Sequence, residues 1–252
     1  MKWKDPFGHI ILVKRFLFAV VGMLTYRRYN GFNDIEIKGM EILKKLPDKK
    51  VLFISNHQTY FADVICLYHI FFAANNGRLN SLKNPLYTFN PKTNIFFVAA
   101  EETMNKGFLP RLFKYAGCVT VKRAWREAGK SVNRKVDLSE VQNIYKAIEW
   151  GWVINFPQGT TKAFAPGRKG TVRIIQDTDP IVIPVVLDGF RRAFDKKGLV
   201  PKKKGVKLSV TFKQPLKIDF SKTKEEQMQQ VMEAIEQTKD HLKVEPPNND
   251  FK

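Results

Sequence analysis

The sequence predicts an α/β fold, a layered mixed sheet flanked by helices, and three observations lead there. Short β-branched or aromatic runs recur at residues 51–55 (VLFIS), 95–100 (IFFVAA), 118–122 (CVTVK), 153–156 (VINF) and 181–187 (IVIPVVL). Continuous apolar runs of that length suit strands buried on both faces. Stretches with helical spacing of apolar residues separate most of them, as alternating β and α layers require. No internal repeat, long Gly/Ser linker or break in composition divides the chain, and its 252 residues suit one large domain.

The elements follow in order. Residues 16–26 (FLFAVVGMLTY) are apolar but about half the ~20 residues needed to span a bilayer. Lys14 and Arg15 precede the run, and Arg27 and Arg28 follow it. Basic flanks suit an interfacial or re-entrant anchor; the alternative is a core helix. Residues 1–30 are therefore expected to form a membrane-associating helical segment, with no small-residue cleavage site behind it. Residues 35–38 alternate as a strand, and Met40, Ile42, Leu43 and Leu46 mark a short amphipathic helix closed by Pro47. A helix is expected over 62–75 and another over 139–150, with Ser139 as its N-cap. Late strands are expected within 205–220 (KLSVTF, then PLKIDF) and a polar helix over 222–242. The domain proper is thus 31–242, with 243–252 a flexible tail.

Composition bounds the partners. Lys plus Arg number 43 against 24 Asp plus Glu, a formal net charge of +19. Such a field meets nucleic acid, an anionic membrane or an acidic protein or substrate, and charge alone does not choose. The aromatic residues lie in apolar runs rather than among basic ones, which argues against nucleic acid. Cys66 and Cys118 both lie in apolar stretches and read as buried thiols; two cysteines make no disulfide framework and suit a cytosol-facing location. The sequence contains no G-x-S-x-G, Walker loop, G-x-G-x-x-G or H-E-x-x-H, which argues against serine hydrolase, nucleotide and zinc-protease chemistry.

One of four histidines, His57, directly follows a buried strand with a carboxylate close behind: Ser55-Asn56-His57-Gln58-Thr59-Tyr60-Phe61-Ala62-Asp63. Strand ends are where α/β sheets bind ligands. An imidazole, with an ordinary pKa of ~6.5, accepts a proton at neutral pH when a carboxylate fixes its tautomer. His57 and Asp63 could therefore deprotonate an attacking hydroxyl, a Ser-His-Asp logic without the protein nucleophile. Asp63 also has a purely structural reading, as an N-terminal helix residue satisfying backbone donors.

Three further strings accompany this one. Residues 117–123 (GCVTVKR) end a strand with the cations Lys122 and Arg123. Phe156-Pro157-Gln158-Gly159-Thr160 ends another in a tight turn, and residues 181–189 (IVIPVVLDG) end a third. In order and spacing these four blocks resemble those of the lysophosphatidic acid (1-acylglycerol-3-phosphate) acyltransferase superfamily, over roughly residues 35–190. The family's blocks are His-x4-Asp, a strand ending in Arg, FPEGTR and a VIPV-like strand. The resemblance implies an acyltransferase that moves a fatty acyl group from acyl-CoA or acyl carrier protein to a lyso-lipid hydroxyl in phospholipid or membrane-lipid biosynthesis. It makes His57 the general base and Asp63 its orienting partner. Lys122, Arg123 and residues Phe156, Pro157, Gln158, Gly159 and Thr160 would bind the acceptor. Arg123 would face a phosphate or similar anion, or form a surface ion pair. Gly159 would serve a close backbone approach or a positive φ. No metal or bound cofactor is required, and the enzyme would be peripheral or monotopic on a cytoplasm-facing anionic membrane.

The chain departs from that pattern three times. Five residues, not four, separate His57 from Asp63, and Ala62 stands in the family's register. Within one continuous helix the extra residue would rotate the carboxylate by ~100°; a loop absorbs it. Gln158 stands for the family's Glu and Thr161 for its Arg, with Lys162, Arg168 and Lys169 available as replacement cations. These departures leave open an acceptor with an amino-acid-type head group, and a catalytically weakened relative that binds lipid or acyl carrier.

Overall fold

The computed structural model describes residues 3–104, 108–122, 126–127, 130–131 and 138–242. Helix α1 (Ile11–Tyr29) leads to strand β1 (Asp34–Lys38), a 3-10 turn (Met40–Lys45) and strand β2 (Val51–Ser55). Helix α2 (Ala62–Asn75), a second 3-10 turn (Pro85–Phe89), β3 (Ile95–Ala100), α3 (Glu101–Met104), α4 (Phe108–Tyr115) and β4 (Cys118–Val121) follow. A two-residue antiparallel pair, β5 (Arg126–Glu127) and β6 (Lys130–Ser131), precedes α5 (Leu138–Trp150) and β7 (Trp152–Asn155). The chain continues through α6 (Gly170–Thr178), β8 (Ile181–Asp188), α7 (Phe190–Ala193), β9 (Lys207–Phe212) and α8 (Lys224–Ala234).

Seven strands form one mixed sheet in the order β1-β9-β8-β2-β7-β3-β4. Strands β8, β2, β7, β3 and β4 run parallel, β9 runs antiparallel to β8, and β1 pairs parallel to β9. Five strands therefore end at one edge of the sheet. Every residue of β2 is buried, because both faces of the sheet are covered. Val51 and Phe53 pack with α1 and α2 on one side; Leu52 and Ile54 pack with α5, α6 and α8 on the other. This is why VLFIS reads as an unbroken apolar run rather than an alternating one.

Helix α1 is a single helix that runs through the Lys14-Arg15 pair. Phe18, Gly22, Thr25 and Tyr29 form its inward face. At Gly22 a Cβ would lie 2.7 Å from Thr88, so glycine lets α1 seat against the turn after α2. Lys14 corrects the expectation of an interfacial cation: it is 1% exposed. Its ammonium lies 3.6 Å from Asp5 and 4.4 Å from the Phe96 ring centroid. Burial, opposed by Asp5, pulls its pKa down to about 8. The outward face is apolar, with Leu12, Phe16, Val20, Met23 and Leu24 exposed, beside Leu86 and Phe89 of the neighbouring turn. No helix among the described residues is long and apolar enough to cross a membrane.

Other expectations shift for local reasons. Ser139 lies inside α5 rather than capping it, since the helix starts at Leu138. The string PLKIDF forms no strand; Pro215 supplies no donor, and Leu216 alone bonds across, to Val182. The last helix starts with a Thr223/Glu226 capping box and stops at Ala234, where Glu236 takes a left-handed φ of 57°. Met40–Lys45 is a 3-10 helix, not α. Cys66 is buried, but Cys118 is only half-buried. The tail 243–252 lies outside the described residues.

Candidate active site

The loop after β2 carries His57, and the first turn of α2 carries Asp63. The Asp63 carboxylate is 0% exposed and accepts from four donors. His57 Nδ1 is 2.9 Å away, the Gln58 amide 2.6 Å, the Thr59 amide 3.1 Å and the Thr59 hydroxyl 2.7 Å. The extra residue is absorbed by the loop 56–61, not by the helix, so the carboxylate faces the ring despite the changed spacing. Asp63 thus contacts the imidazole and also accepts from backbone donors of the loop that carries it. With Nδ1–H donating to Asp63, the lone pair of the imidazole sits on Nε2. Ala62, in the family's register, is buried beside Gly198; its carbonyl accepts from the Tyr29 hydroxyl at 2.8 Å, which ties α1 to the start of α2.

The residues flanking His57 fasten its loop to β8. Asn56 donates to Leu187 O at 2.8 Å and accepts from Leu187 N at 2.7 Å. Gln58 donates to Leu187 O at 2.9 Å and accepts from Phe190 N at 2.9 Å. The fourth block thus serves as a backbone rail for the loop of the first. Phe156, from the loop after β7, stacks on the His57 ring with centroids 3.9 Å apart and planes at 19°. These contacts leave His57 little rotational freedom, and its side chain remains 13% exposed.

Two cavities meet here. One, of about 400 Å³, is lined by His57 and mostly apolar side chains, among them Val64, Phe97, Val121, Ile144 and Ile174. It runs between the ends of β3 and β4 and helices α5 and α6, with Phe156, Pro157, Gly159, Thr160 and Lys122 on its wall. The other, of about 790 Å³, carries the cations Lys162, Arg168, Arg191, Lys196 and Lys202. Tyr60, Gly159, Thr160 and Arg168 line both.

The structure therefore brings His57, Asp63, Phe156, Pro157, Gly159, Thr160 and Lys122 to one edge of the sheet. Gly159 has φ 62°, the left-handed turn expected of it. Lys122 is exposed, and its backbone amide donates to Glu140 at 2.7 Å. Gln158 goes elsewhere: it is 1% exposed and lines neither cavity. Its amide nitrogen bonds Ala165 O at 3.0 Å and Gln237 at 3.2 Å, tying the turn to the C-terminal segment. A neutral amide suits that buried place better than the family's carboxylate would. Arg123 lies outside the described residues. Sequence reasoning missed Arg191, whose Nη2 donates to His57 O at 3.2 Å and to Thr161 O. Its only signal was an arginine two residues past a Gly turn at a strand end.

The chain is similar in fold to the crystal structure of the 1-acyl-sn-glycerophosphate (LPA) acyltransferase PlsC from Thermotoga maritima. The TM-score is 0.51 at 19% identity, over 89% of this chain and 83% of that one. No curated protein sequence matches it. A sequence model of the acyltransferase family, described as Acyltransferase, matches residues 34–188, more than half of the chain and all of the four blocks but Gly189. On that match the chain belongs to the acyltransferase family.

Proposed function

We propose that this acyltransferase moves a fatty acyl group from a thioester, acyl-CoA or acyl carrier protein, to a lyso-lipid hydroxyl, with His57 as general base. The observation that carries the reading is the 2.9 Å contact of His57 Nδ1 with buried Asp63, in a ring that borders an apolar cavity. The acceptor hydroxyl gives its proton to Nε2 as its oxygen attacks the thioester carbonyl. Collapse of the tetrahedral intermediate breaks the C–S bond, and the departing sulfur takes the proton back from Nε2. Asp63 stabilises the imidazolium in between. The apolar cavity suits an acyl chain, and each methylene buried there contributes about 0.8 kcal/mol.

Membrane association belongs to the same proposal. The exposed stripe of Leu12, Phe16, Val20, Met23 and Leu24 lies along α1, whose last turn carries Arg27 and Arg28. A helix that presents apolar side chains outward and basic ones at its end suits the interface of an anionic bilayer. Such a surface would deliver the lyso-lipid.

The test is acyl transfer by purified protein, offered a labelled acyl thioester and a panel of lyso-lipids, for the parent and His57→Ala. We expect transfer to at least one acceptor and a loss of about 10²–10⁴ in rate on removing His57. A His57→Ala protein as fast as the parent overturns the assignment of the base, and no transfer by the parent to any acceptor favours a lipid-binding relative. Flotation with anionic liposomes tests the membrane surface; the double variant Phe16→Asp, Leu24→Asp is expected to stay at the bottom of the gradient.

A further inference from the structure

The segment that joins His57 to Asp63 has four successive amides to satisfy, from Gln58 to Phe61. Those of Gln58 and Thr59 go to the Asp63 carboxylate. Those of Tyr60 and Phe61 go to a second loop, where the carbonyls of Lys196 at 3.1 Å and Lys197 at 2.9 Å accept them. Backbone donors withdrawn from water need partners of this kind, and a segment longer by one residue has one more donor to place.

That second loop, residues 194–203, is tied to itself through one side chain. Asp195 Oδ1 accepts from the amides of Leu199 at 2.8 Å and Val200 at 2.9 Å. Its backbone closes the same turn: Asp195 O accepts from Gly198 N at 2.8 Å, and Asp195 N donates to Val200 O at 3.0 Å. Burial opposes the charge of Asp195, yet the amides of Val200, Leu199, Lys197 and Gly198 hold its carboxyl below the usual carboxylate range. The two carbonyls that receive Tyr60 and Phe61 belong to the residues directly after it, inside the turn. Gly198, with φ 75°, seats the turn on the loop of His57: a Cβ there would lie 2.5 Å from Ala62 N and 2.7 Å from Thr59 Oγ1. Phe194 is buried and Leu199 packs on the same core, so both flanks of the turn are anchored while its shape depends on Asp195.

We infer that Asp195 is a positioning residue for His57 and Asp63. It shapes the 195–200 turn so that the Lys196 and Lys197 carbonyls receive the Tyr60 and Phe61 amides, and this accommodates the five-residue spacing of the pair. The inference rests on the acyltransferase reading of His57, and Asp195 acts through the backbone rather than on the substrate. Asp195 also lines the larger cavity beside Lys196 and Lys202, where a carboxylate would act by its charge instead. The two roles ask different things of the side chain: an acceptor at Oδ1, or a negative charge.

The experiment compares kcat and KM of the parent with those of Asp195→Asn, Asp195→Glu and Asp195→Ala. Asparagine keeps an oxygen at Oδ1 for both amides and loses the charge; glutamate keeps the charge and displaces the oxygens by one methylene. Asp195→Asn is expected to retain about a third or more of the parent kcat, and Asp195→Glu and Asp195→Ala to lose about 10- to 100-fold, with KM for donor and acceptor within about threefold. The reverse order of the asparagine and glutamate variants, equal kcat in all three, or a change confined to KM overturns the inference. If Asp195→Ala does not fold, the order of the other two still decides. Amide hydrogen exchange on the same samples supplies an arm without catalysis. In Asp195→Glu, exchange over residues 58–61 should quicken about tenfold or more, while residues 51–55 keep the protection of the parent and Asp195→Asn stays near it. Unchanged exchange over 58–61 counts against the inference, and equal loss of protection over 51–55 makes Asp195 a residue of general stability and overturns it too. A parent that transfers to no acceptor fails the acyltransferase reading alone, because the exchange arm still reports whether Asp195 holds the loop.

Discussion

Replacing Asp63 by asparagine preserves size and removes the charge at the one group that all four donors share. The carboxylate oxygens face His57 Nδ1, the Gln58 and Thr59 amides and the Thr59 hydroxyl. An amide offers one oxygen, and its nitrogen must then point at a donor. If the oxygen stays with the Thr59 amide and hydroxyl, the NH2 group confronts the Gln58 amide and the ring. The imidazole then takes its proton on Nε2 to accept at Nδ1, and Nε2 can no longer accept one from an alcohol. That tautomeric switch removes the base, so kcat is expected to fall by about 10²–10⁴. KM for the thioester should stay within a factor of a few, because the apolar cavity is untouched. Two charge-assisted bonds are also lost in a fully buried site, at about 1.5–3 kcal/mol each, so stability should fall by about 3–6 kcal/mol. The assay is release of free thiol from the donor, read beside denaturant unfolding of the same samples. A variant that keeps more than a third of the parent kcat would refute the reasoning, because the tautomer would then not matter.

Other perturbations follow from the same geometry. The exchange Ala62→Asp with Asp63→Ala recreates the four-residue spacing, yet is expected to be inactive and less stable: position 62 is buried beside Gly198, and one helical residue turns the carboxylate ~100° from the ring. Activity returning in that double variant would show that the carboxylate's place on the helix does not fix its direction towards the ring. Gly198→Ala places a methyl 2.7 Å from Thr59 Oγ1 at a residue with φ +75°; kcat should drop although position 198 touches no substrate, and unchanged turnover would mean that the loop yields freely. Phe156→Ala removes the ring stacked on His57 and should cost about 3 kcal/mol in an unfolding titration, with lower kcat as the imidazole gains freedom. His69 bonds Thr25 and Tyr87 in the core, and burial pulls its pKa from 6.5 to about 3. The folded protein holds this ring neutral while the unfolded chain protonates it, so its contribution is complete above about pH 6.5 and is lost as pH falls towards 3. At about 1.4 kcal/mol per pH unit, that loss approaches 5 kcal/mol; His69→Gln should flatten the acid limb of stability against pH, and an unchanged limb would contradict the assignment.

Much of the architecture was legible because burial on both faces leaves a plain mark: VLFIS, IFFVAA and IVIPVVL became β2, β3 and β8 at or within one residue of the expected bounds. The helix over 62–75 was equally plain. Where local pattern misled, a tertiary partner or a donor count intervened. Lys14 looks like a surface cation in one dimension, but Asp5 and Phe96 receive it in the interior. PLKIDF has strand composition, yet proline withholds the donor that a ladder requires.

The site divides the same way. The residue types and order along the chain determined that a histidine, a nearby carboxylate and a glycine turn would stand at strand ends, because that much follows from periodicity and chemistry. Whether Asp63 could meet His57 across five residues was decided only by the loop 56–61, whose shape depends on β8, 130 residues away, through Asn56 and Gln58. That Gln158 turns inward and Arg191 turns to the His57 loop is likewise a matter of folded neighbours. Side-chain direction is set by packing between segments distant in sequence, and no local pattern encodes it.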